Sequence, residues 1–264
     1  MAVKAILDLP YIKDSVAAHT FDFFHSEHTH GQNTPLLVFV HGGAWMSGDK
    51  ADLHKFANNL IEHVSCAVAL VNYRLTTRSQ HMLHPAHSED VLKALEYLQN
   101  NTEVSLIYDR SKIHLAGHSC GAHILTSIFL DTDSVTPSLK PSSRLLDATR
   151  TISLSEGLYD LDLFLKASPS CKEYFVAPAF GQHQSFDVFS TVNYQPRSLD
   201  VRWLVIHSVG DELVNIDQSE VFYSHLESQK AHVAKNWDQL DGNHDDILPT
   251  VQYARIIGDF IVSQ

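Results

Sequence analysis

Hydrophobic positions along the chain follow two alternating patterns. Continuous apolar runs such as 36–40 and 67–71 are typical of strands that are buried on both faces of a sheet. Between such runs, apolar residues recur at the period of a helix, which indicates helices with one buried face. The predicted strands are 36–40, 67–71, 112–116, 151–154, 201–206 and 233–240, after an early antiparallel pair within 15–24. The predicted helices are 52–64, 90–98, 122–130 and 247–262.

Strands that alternate with helices favour an α/β fold in which a mostly parallel central sheet carries helices on both faces. With 264 residues, 44% of them hydrophobic, the chain can bury one sizeable core, so we expect a single domain spanning residues 1–264. The stretch 156–193 is irregular and rich in aromatic residues. Because long loops in compact domains are usually functional, this stretch is a candidate lid or substrate-pocket segment.

Composition disfavours several kinds of partner. The formal net charge of -12 argues against binding to nucleic acids or anionic membranes, which require basic patches. No apolar run approaches the ~20 residues of a membrane span, and the N-terminal residues lack the apolar stretch of a secretory signal. Cys66, Cys120 and Cys171 are odd in number and widely spaced, which favours free thiols and a cytoplasmic location. We expect a small molecule as the partner, and a homodimer stays open.

Eighteen histidines raise the question of a metal site. No H-E-x-x-H motif occurs, and no histidine pair stands beside a carboxylate at a zinc-like spacing on a credible helix. Several histidines, such as His25, His28 and His30, cluster in a polar stretch. We therefore expect no metal, and structural or solvated roles for most of the histidines.

The strongest chemical signal is Gly117-His118-Ser119-Cys120-Gly121, a G-x-S-x-G pentapeptide between a predicted strand and a predicted helix. This context is that of a nucleophile elbow, whose tight turn needs glycine on both flanks of the serine. We therefore predict Ser119 as a nucleophile. Cys120 begins the helix, where a thiol pKa can fall, but the elbow presents position 119 to the substrate. We expect the Cys120 side chain to be packed and its backbone N–H to act as an oxyanion donor, and we assign no catalytic role to His118 or His123.

A serine nucleophile needs a histidine base and a carboxylate that orients it, in the chain order serine, acid, histidine. Asp211 follows the strand 201–206, and His244 follows the strand 233–240, so both fall where parallel strands end at a ligand site. Asp211 could instead be a turn-forming acid. Weaker candidates for the acid and the base are Asp160, Glu212, Asp217, His207 and His232.

The second half of an oxyanion hole is expected in the loop after the strand 36–40, where His41-Gly42-Gly43-Ala44-Trp45 stands. Paired glycines let a backbone approach the substrate and direct its amides towards it. This pattern alone could be a simple turn. Placed upstream of the elbow and on the expected strand, the two motifs reinforce each other.

These residues resemble the α/β-hydrolase fold, and within it the hormone-sensitive-lipase-like branch. The similarity extends to Asn72-Tyr73-Arg74-Leu75 and to the segment from His84 to Val91. Ala44-Trp45 in place of a third glycine resembles the H-G-G-x-W motif of kynurenine formamidases. The segment 155–161 is similar to their G-[IVL]-[YF]-D-L segment, and G-H-S-C-G-A-H is similar to their fungal members.

The resemblance implies hydrolysis of N-formyl-L-kynurenine to L-kynurenine and formate, a step of tryptophan breakdown that can feed NAD synthesis, without a cofactor. It also implies an oxyanion hole formed by the amides of Gly43, Ala44 and Cys120. Trp45 and Tyr159 are candidates for the substrate pocket, with the core as the alternative. Two other functions stay open: a general short-chain carboxylesterase, and a catalytically silent binding protein on the same fold.

Overall fold

The strands of the computed structural model are β1 (Val3–Pro10), β2 (Thr20–Ser26), β3 (Leu36–Val40), β4 (Ala67–Val71), β5 (Ile113–His118), β6 (Thr149–Ser155), β7 (Arg202–Ile206) and β8 (His232–Asn236). The structure describes residues 2–13, 16–27, 33–77, 82–100 and 104–263. Within these ranges the eight strands form one sheet in the order β1-β2-β4-β3-β5-β6-β7-β8. Only the β1–β2 and β2–β4 pairs in this sheet are antiparallel, so the predicted mostly parallel sheet is confirmed.

The register of the parallel strands aligns their carboxyl ends. Val40 of β3 lies opposite Gly117 of β5. Ser155 of β6 pairs with His118 of β5 on one side and with Ile206 of β7 on the other. The loops that follow β3, β5, β6, β7 and β8 therefore meet along one edge of the sheet. This edge is where an open α/β sheet places its ligands.

Helices cover both faces of the sheet. They are α1 (His54–His63), α2 (Ala86–Asn100), α3 (Cys120–Phe129), α4 (Ser143–Ala148), α5 (Leu161–Ala167), α6 (Ala177–Phe180), α7 (Ile216–Ser228) and α8 (Val251–Val262). Short 3₁₀ turns lie at Lys50–Leu53, Pro137–Leu139, Asp187–Phe189 and Thr191–Asn193, and a π-helical turn at Lys172–Val176. No helix of the described ranges is both long and apolar enough to cross a membrane.

The sheet separates two hydrophobic clusters, because side chains alternate between its faces. Val38 and Val40 of β3 belong to one cluster with α2, α3 and α7, whereas Leu37 and Phe39 belong to the other with α1 and α8. Every residue of β3, β4 and β5 is buried. The continuous apolar runs of the sequence thus correspond to central strands with two covered faces.

Three elements differ from the predictions. The early strand pair joins β2 to β1, which lies upstream of the predicted range, and Ser15 lies outside the described residues. The stretch 156–193 is not irregular but largely helical, in turns too short to show a hydrophobic period. Helix α7 was not predicted, because two of its four buried residues, Gln218 and Ser219, are polar.

Candidate active site

Ser119 occupies a strained turn between β5 and α3. Its φ of 54° lies in the left-handed region, where a non-glycine residue is held at a cost of about 1–3 kcal/mol. The Ser119 amide donates to the Ser155 carbonyl of β6 at 2.9 Å, which anchors the turn to the sheet. A Cβ on Gly117 would lie 2.7 Å from the Gly121 carbonyl oxygen, so the turn closes only with a glycine at this position.

Asp211 and His244 are brought together at the carboxyl edge of the sheet. The Nδ1–H of His244, in the tautomer with its proton there, donates to Asp211 Oδ2 at 2.9 Å. Asp211 Oδ1 accepts from the amides of Leu213 and Val214 at 2.8 and 3.0 Å, which fixes the carboxylate after β7. Burial raises the pKa of Asp211, but the His244 contact and these amides outweigh it, so the net pKa lies below its ordinary value. Asp211 is therefore ionised at neutral pH.

The other ring nitrogen of His244 is left for proton transfer. Nε2 is buried and, among the residues that the structure describes, has no hydrogen-bond partner. The His244 ring lies 4.6 Å, centroid to centroid, from the ring of His118, the residue directly before Ser119. An imidazole oriented through Nδ1 and open at Nε2 is what a general base for a serine requires.

The other candidates for the acid and the base have different partners. His207 Nδ1 lies 2.9 Å from Ser219 Oγ, and His232 is exposed at the start of β8. The Asp160 side chain caps α5 by accepting from the Leu163 amide. Glu212 is exposed, and Asp217 accepts from the Asn215 side chain. Of the weighed residues, the structure thus joins only Asp211 and His244.

The loop after β3 lies directly against the elbow. Gly43, Ala44 and Trp45 have successive positive φ values of 103°, 54° and 60°. A Cβ on Gly42 would lie 3.0 Å from Ser119 Cβ, so the loop backbone passes beside the serine. On the other side, the first amides of α3 have no intrahelical acceptor, and the Cys120 N–H is the first of them. The predicted donors therefore belong to the two segments next to Ser119, the loop after β3 and the start of α3.

Cys120 connects the elbow to this loop through its side chain. The Trp45 amide donates to Cys120 Sγ at 3.2 Å, and the Tyr73 hydroxyl lies 3.6 Å from the same sulfur. Burial raises the pKa of the Cys120 thiol to about 11, so it stays protonated at neutral pH. The side chain is packed beneath the loop.

Trp45 and Tyr159, the pocket candidates, have no exposed surface. The Trp45 ring packs edge-to-face on Phe180 at 4.9 Å and on His123 at 5.4 Å. Tyr159 stacks on Phe222 at 4.1 Å. The structure therefore favours the core alternative for both residues.

A cavity of 660 Å³ opens beside the loop after β3. It is lined by the loop residues Gly43, Ala44, Met46 and Ser47, by Thr76 and Thr77, and by residues of the segment 173–182. Tyr174 and Phe175 from that segment were not singled out from the sequence, although the aromatic content of 156–193 was a signal for them.

Glu156 and His118 also reach the site. Glu156 directly follows β6, has no exposed surface, and places Oε2 at 3.4 Å from His244 Nδ1. His118 Nδ1 lies 3.0 Å from Ser155 Oγ and its Nε2 lies 3.2 Å from Asp245 Oδ1. Burial lowers the pKa of His118 to about 4, so this ring is neutral. The sequence signal for Glu156 was its place at the end of a sheet strand beside the elbow strand.

Among the residues that the structure describes, two groups of side chains are close enough to hold a metal ion. They are His118, His244 and Asp245, and Glu156, Asp211 and His244, with ligand atoms within 4.8 Å of one another in each group. Both groups include His244. A metal at either position would therefore engage the imidazole that faces Asp211.

Comparisons with known proteins place the chain among hydrolases. The BD-FAE family profile matches residues 21–226. The chain is 27% identical over 232 residues to the kynurenine formamidase of Meyerozyma guilliermondii, covering 85% of this chain and 83% of that protein. It is 25% identical over 246 residues to the kynurenine formamidase of Scheffersomyces stipitis, covering 81% and 86%. A truncated carbohydrate esterase from gut microbiota has a TM-score of 0.78 at 19% identity, covering 98% of this chain and 95% of that one. The shared fold confirms the predicted α/β-hydrolase class, and the relatives confirm the resemblance seen in the sequence.

Proposed function

The chain belongs to the BD-FAE family, and on that premise we propose that it hydrolyses N-formyl-L-kynurenine to L-kynurenine and formate. The observation that carries the chemistry is the buried Asp211–His244 pair beside a serine in a strained elbow. The substrate is supported by relatives named kynurenine formamidase, which align over more than four fifths of both chains. We further propose that the enzyme acts in the cytoplasm, since Cys66, Cys120 and Cys171 are all free.

The first half-reaction uses Ser119, His244 and Asp211 in the roles of a triad. Ser119 Oγ attacks the formyl carbon while His244 Nε2 accepts its proton, and the ionised Asp211 stabilises the imidazolium that forms. The oxygen of the former carbonyl becomes negative at this point. The amides of Gly43, Ala44 and Cys120 are the donors that we propose for it, and losing one such donor typically costs ~100–1000-fold in rate.

The second half-reaction regenerates the serine. His244 gives its proton to the departing aryl amine, which breaks the C–N bond and leaves a formyl ester on Ser119. Water, deprotonated by the now neutral His244, attacks this ester; His244 then returns the proton to Ser119 Oγ as the C–O bond breaks and formate is released. Every proton and charge in the cycle is held by side chains or amides of this chain, so the proposal requires no cofactor.

The cavity beside the loop suits a small acyl group on a large leaving group. We propose that the formyl end binds near Gly43 and Ala44, whose loop lies against the elbow, and that Phe175 and Pro178 offer apolar surface to the leaving group. We propose that 156–193 forms this apolar side of the pocket. Trp45 contributes by packing beneath the loop, not by touching the substrate.

The test is the rate of N-formylkynurenine absorbance loss with wild type and with Ser119→Ala. We expect the variant to lose ~10⁶-fold in kcat, as serine proteases do when the nucleophile is removed. Ser127→Ala, which removes another buried hydroxyl from α3, is the matched control and should retain activity.

The carboxylesterase alternative is tested in the same assay. A kcat/KM for a p-nitrophenyl ester that equals or exceeds that for N-formylkynurenine would contradict the formamidase assignment. A folded wild type that resists labelling by a fluorophosphonate would contradict a serine hydrolase altogether and favour a binding protein.

A further inference from the structure

Glu156 is held in the site by the sheet itself. It directly follows β6, and its amide donates to the Ile206 carbonyl of β7 at 3.0 Å. Its φ of 51° turns the chain away from the strand. Glu156 Oε1 accepts from the Ser208 amide at 3.2 Å, which leaves Oε2 directed at His244 Nδ1, 3.4 Å away. A glutamate with no exposed surface thus faces the same nitrogen that donates to Asp211.

When two buried carboxyl groups lie beside one imidazole, ionising both has a high free-energy cost, because their like charges repel in a poorly solvated site. Burial, followed by the negative charge of Asp211, raises the pKa of Glu156 to about 9. The pKa of Asp211 lies below its ordinary value, so the pair carries one negative charge at neutral pH. The titratable groups that face Glu156 are Asp211, Asp245, His118, His244, Tyr159 and Tyr253.

We propose that Glu156 is a second acid of the site, a positioning residue that faces His244 Nδ1 without bonding it in the wild type and can take over the hydrogen bond and the negative charge when Asp211 cannot supply them. The inference rests on the proposed serine-hydrolase mechanism, but not on the identity of the substrate. Its consequence appears when Asp211 is replaced by asparagine. Glu156 then loses a negative neighbour, so it releases its proton to solvent at a lower pH than in the wild type. The resulting carboxylate accepts the Nδ1–H of His244 and stabilises its imidazolium.

The readout is the second-order rate of Ser119 labelling by a fluorophosphonate, measured from pH 5 to pH 10. It depends on Ser119 and His244 but not on the leaving group of the natural substrate. The proteins compared are the wild type, Asp211→Asn, Glu156→Gln and the double variant. Thermal unfolding of each is recorded at every pH.

At alkaline pH, the labelling rate of Asp211→Asn is expected to be at most about 100-fold below that of the wild type. In a triad without a second acid, this substitution lowers the rate by ~10⁴-fold. Its rate should rise with pH along an ionisation that the double variant lacks, and the double variant should show the full ~10⁴-fold loss. Glu156→Gln alone should stay within about tenfold of the wild type, because Asp211 then carries the charge as before. A residue with a purely structural role would not create this pH dependence.

Two controls separate the proposal from misfolding. At neutral pH, Glu156 is ionised in the unfolded chain and protonated in the folded chain. The folded state therefore binds one more proton, and the free energy of unfolding falls as pH rises from the unfolded pKa of Glu156 to its folded pKa of about 9. Glu156→Gln removes that destabilisation, so its unfolding temperature at pH 7 should be no lower than that of the wild type. Asp211→Asn combined with Asp245→Asn keeps Glu156, so its labelling rate should still rise with pH, but at a lower pH than in Asp211→Asn, because the charge of Asp245 also raises the pKa of Glu156.

Two results would overturn the proposal: a ~10⁴-fold loss in Asp211→Asn at every pH, or a double variant equal to Asp211→Asn. A wild type that is labelled but does not cleave N-formylkynurenine would contradict only the substrate assignment. A wild type that is not labelled would overturn both the mechanism and the role of Glu156.

Discussion

Replacing Gly43 with alanine should disable the oxyanion loop while leaving the protein folded. Gly43 has a φ of +103°, and an added Cβ would lie 2.5 Å from the Ser47 carbonyl carbon and closer still to its oxygen. Both atoms belong to the backbone of the same turn, whose Ser47 amide donates to the Gly43 carbonyl at 2.9 Å. No side-chain rotation can relieve such a contact, so the turn itself must move.

The size of the effect follows from that displacement. Ordinary Cβ contacts begin near 3.4 Å, so the backbone must shift by about 1 Å, a misplacement that can cost ~100-fold in rate. Loss of one oxyanion donor gives a similar figure of ~100–1000-fold, or about 3–4 kcal/mol of transition-state stabilisation. The backbone penalty for alanine at this φ is about 1–3 kcal/mol, less than the usual stability of a folded domain.

The assay is kcat and KM for N-formylkynurenine, with thermal unfolding of the same samples. We expect the loss to fall mainly on kcat, because the donors act on charge that develops in the transition state. Gly181→Ala is the matched control. Gly181 also has a positive φ, of +88°, but an added Cβ would meet nothing closer than 3.4 Å.

An unchanged kcat in folded Gly43→Ala would refute the reasoning, since the loop would then tolerate a shifted backbone. Equal losses in Gly43→Ala and Gly181→Ala would also refute it. The effect would then come from the backbone penalty and not from the position of the amides.

Three further predictions concern residues around the elbow and the core. Ser119→Gly should abolish labelling by a fluorophosphonate. It should also raise the free energy of unfolding by about 1 kcal/mol, because glycine accepts the φ of 54° without strain. Calorimetry should show a melting temperature about 2–4 °C higher than that of the wild type. Cys120→Ala should leave the Trp45 amide without its acceptor and lower the free energy of unfolding by about 1 kcal/mol. Cys120→Ser should keep an acceptor for this amide and lose less, and urea unfolding of the two variants measures the difference. Asp90→Ala should cost about 3 kcal/mol at pH 7, because fully buried Asp90 accepts from Arg74 at 2.6 and 2.7 Å. Burial raises the pKa of Asp90, but the Arg74 hydrogen bonds and the charges of His19 and Arg74 outweigh it, so the net pKa is lowered. The stabilisation is therefore present above pH ~4 and lost as pH falls further, and urea unfolding of the variant and the wild type should converge in acid.

The parts of the fold that could be predicted depend on contacts close in sequence. The runs 36–40 and 67–71 coincide with β3 and β4, because a strand covered on both faces needs an apolar residue at every position. The elbow was predictable for a related reason. Its glycines avoid clashes within the pentapeptide, as between Gly117 and Gly121.

The parts that could not be predicted depend on register and on polar packing. Helix α7 buries Gln218, whose side-chain oxygen accepts from the amides of Tyr159 and Asp160, so a hydrophobic period understates its burial. Glu156 reaches His244 only because β6, β7 and β8 end at the same level. In the sequence, one acidic residue after a strand does not indicate that these strands end at the same level.

The order of strands β5, β6, β7 and β8 across the sheet is also their order in the chain, and this has a consequence for biosynthesis. During translation the chain emerges from its N-terminal end, so the elbow can dock on β3 while β7 and β8 are still being made. At that stage Ser119 has neither Asp211 nor His244 beside it. A nascent chain therefore displays a serine with no base, and it gains nucleophilic power only when the last strand and the loop after it join the sheet.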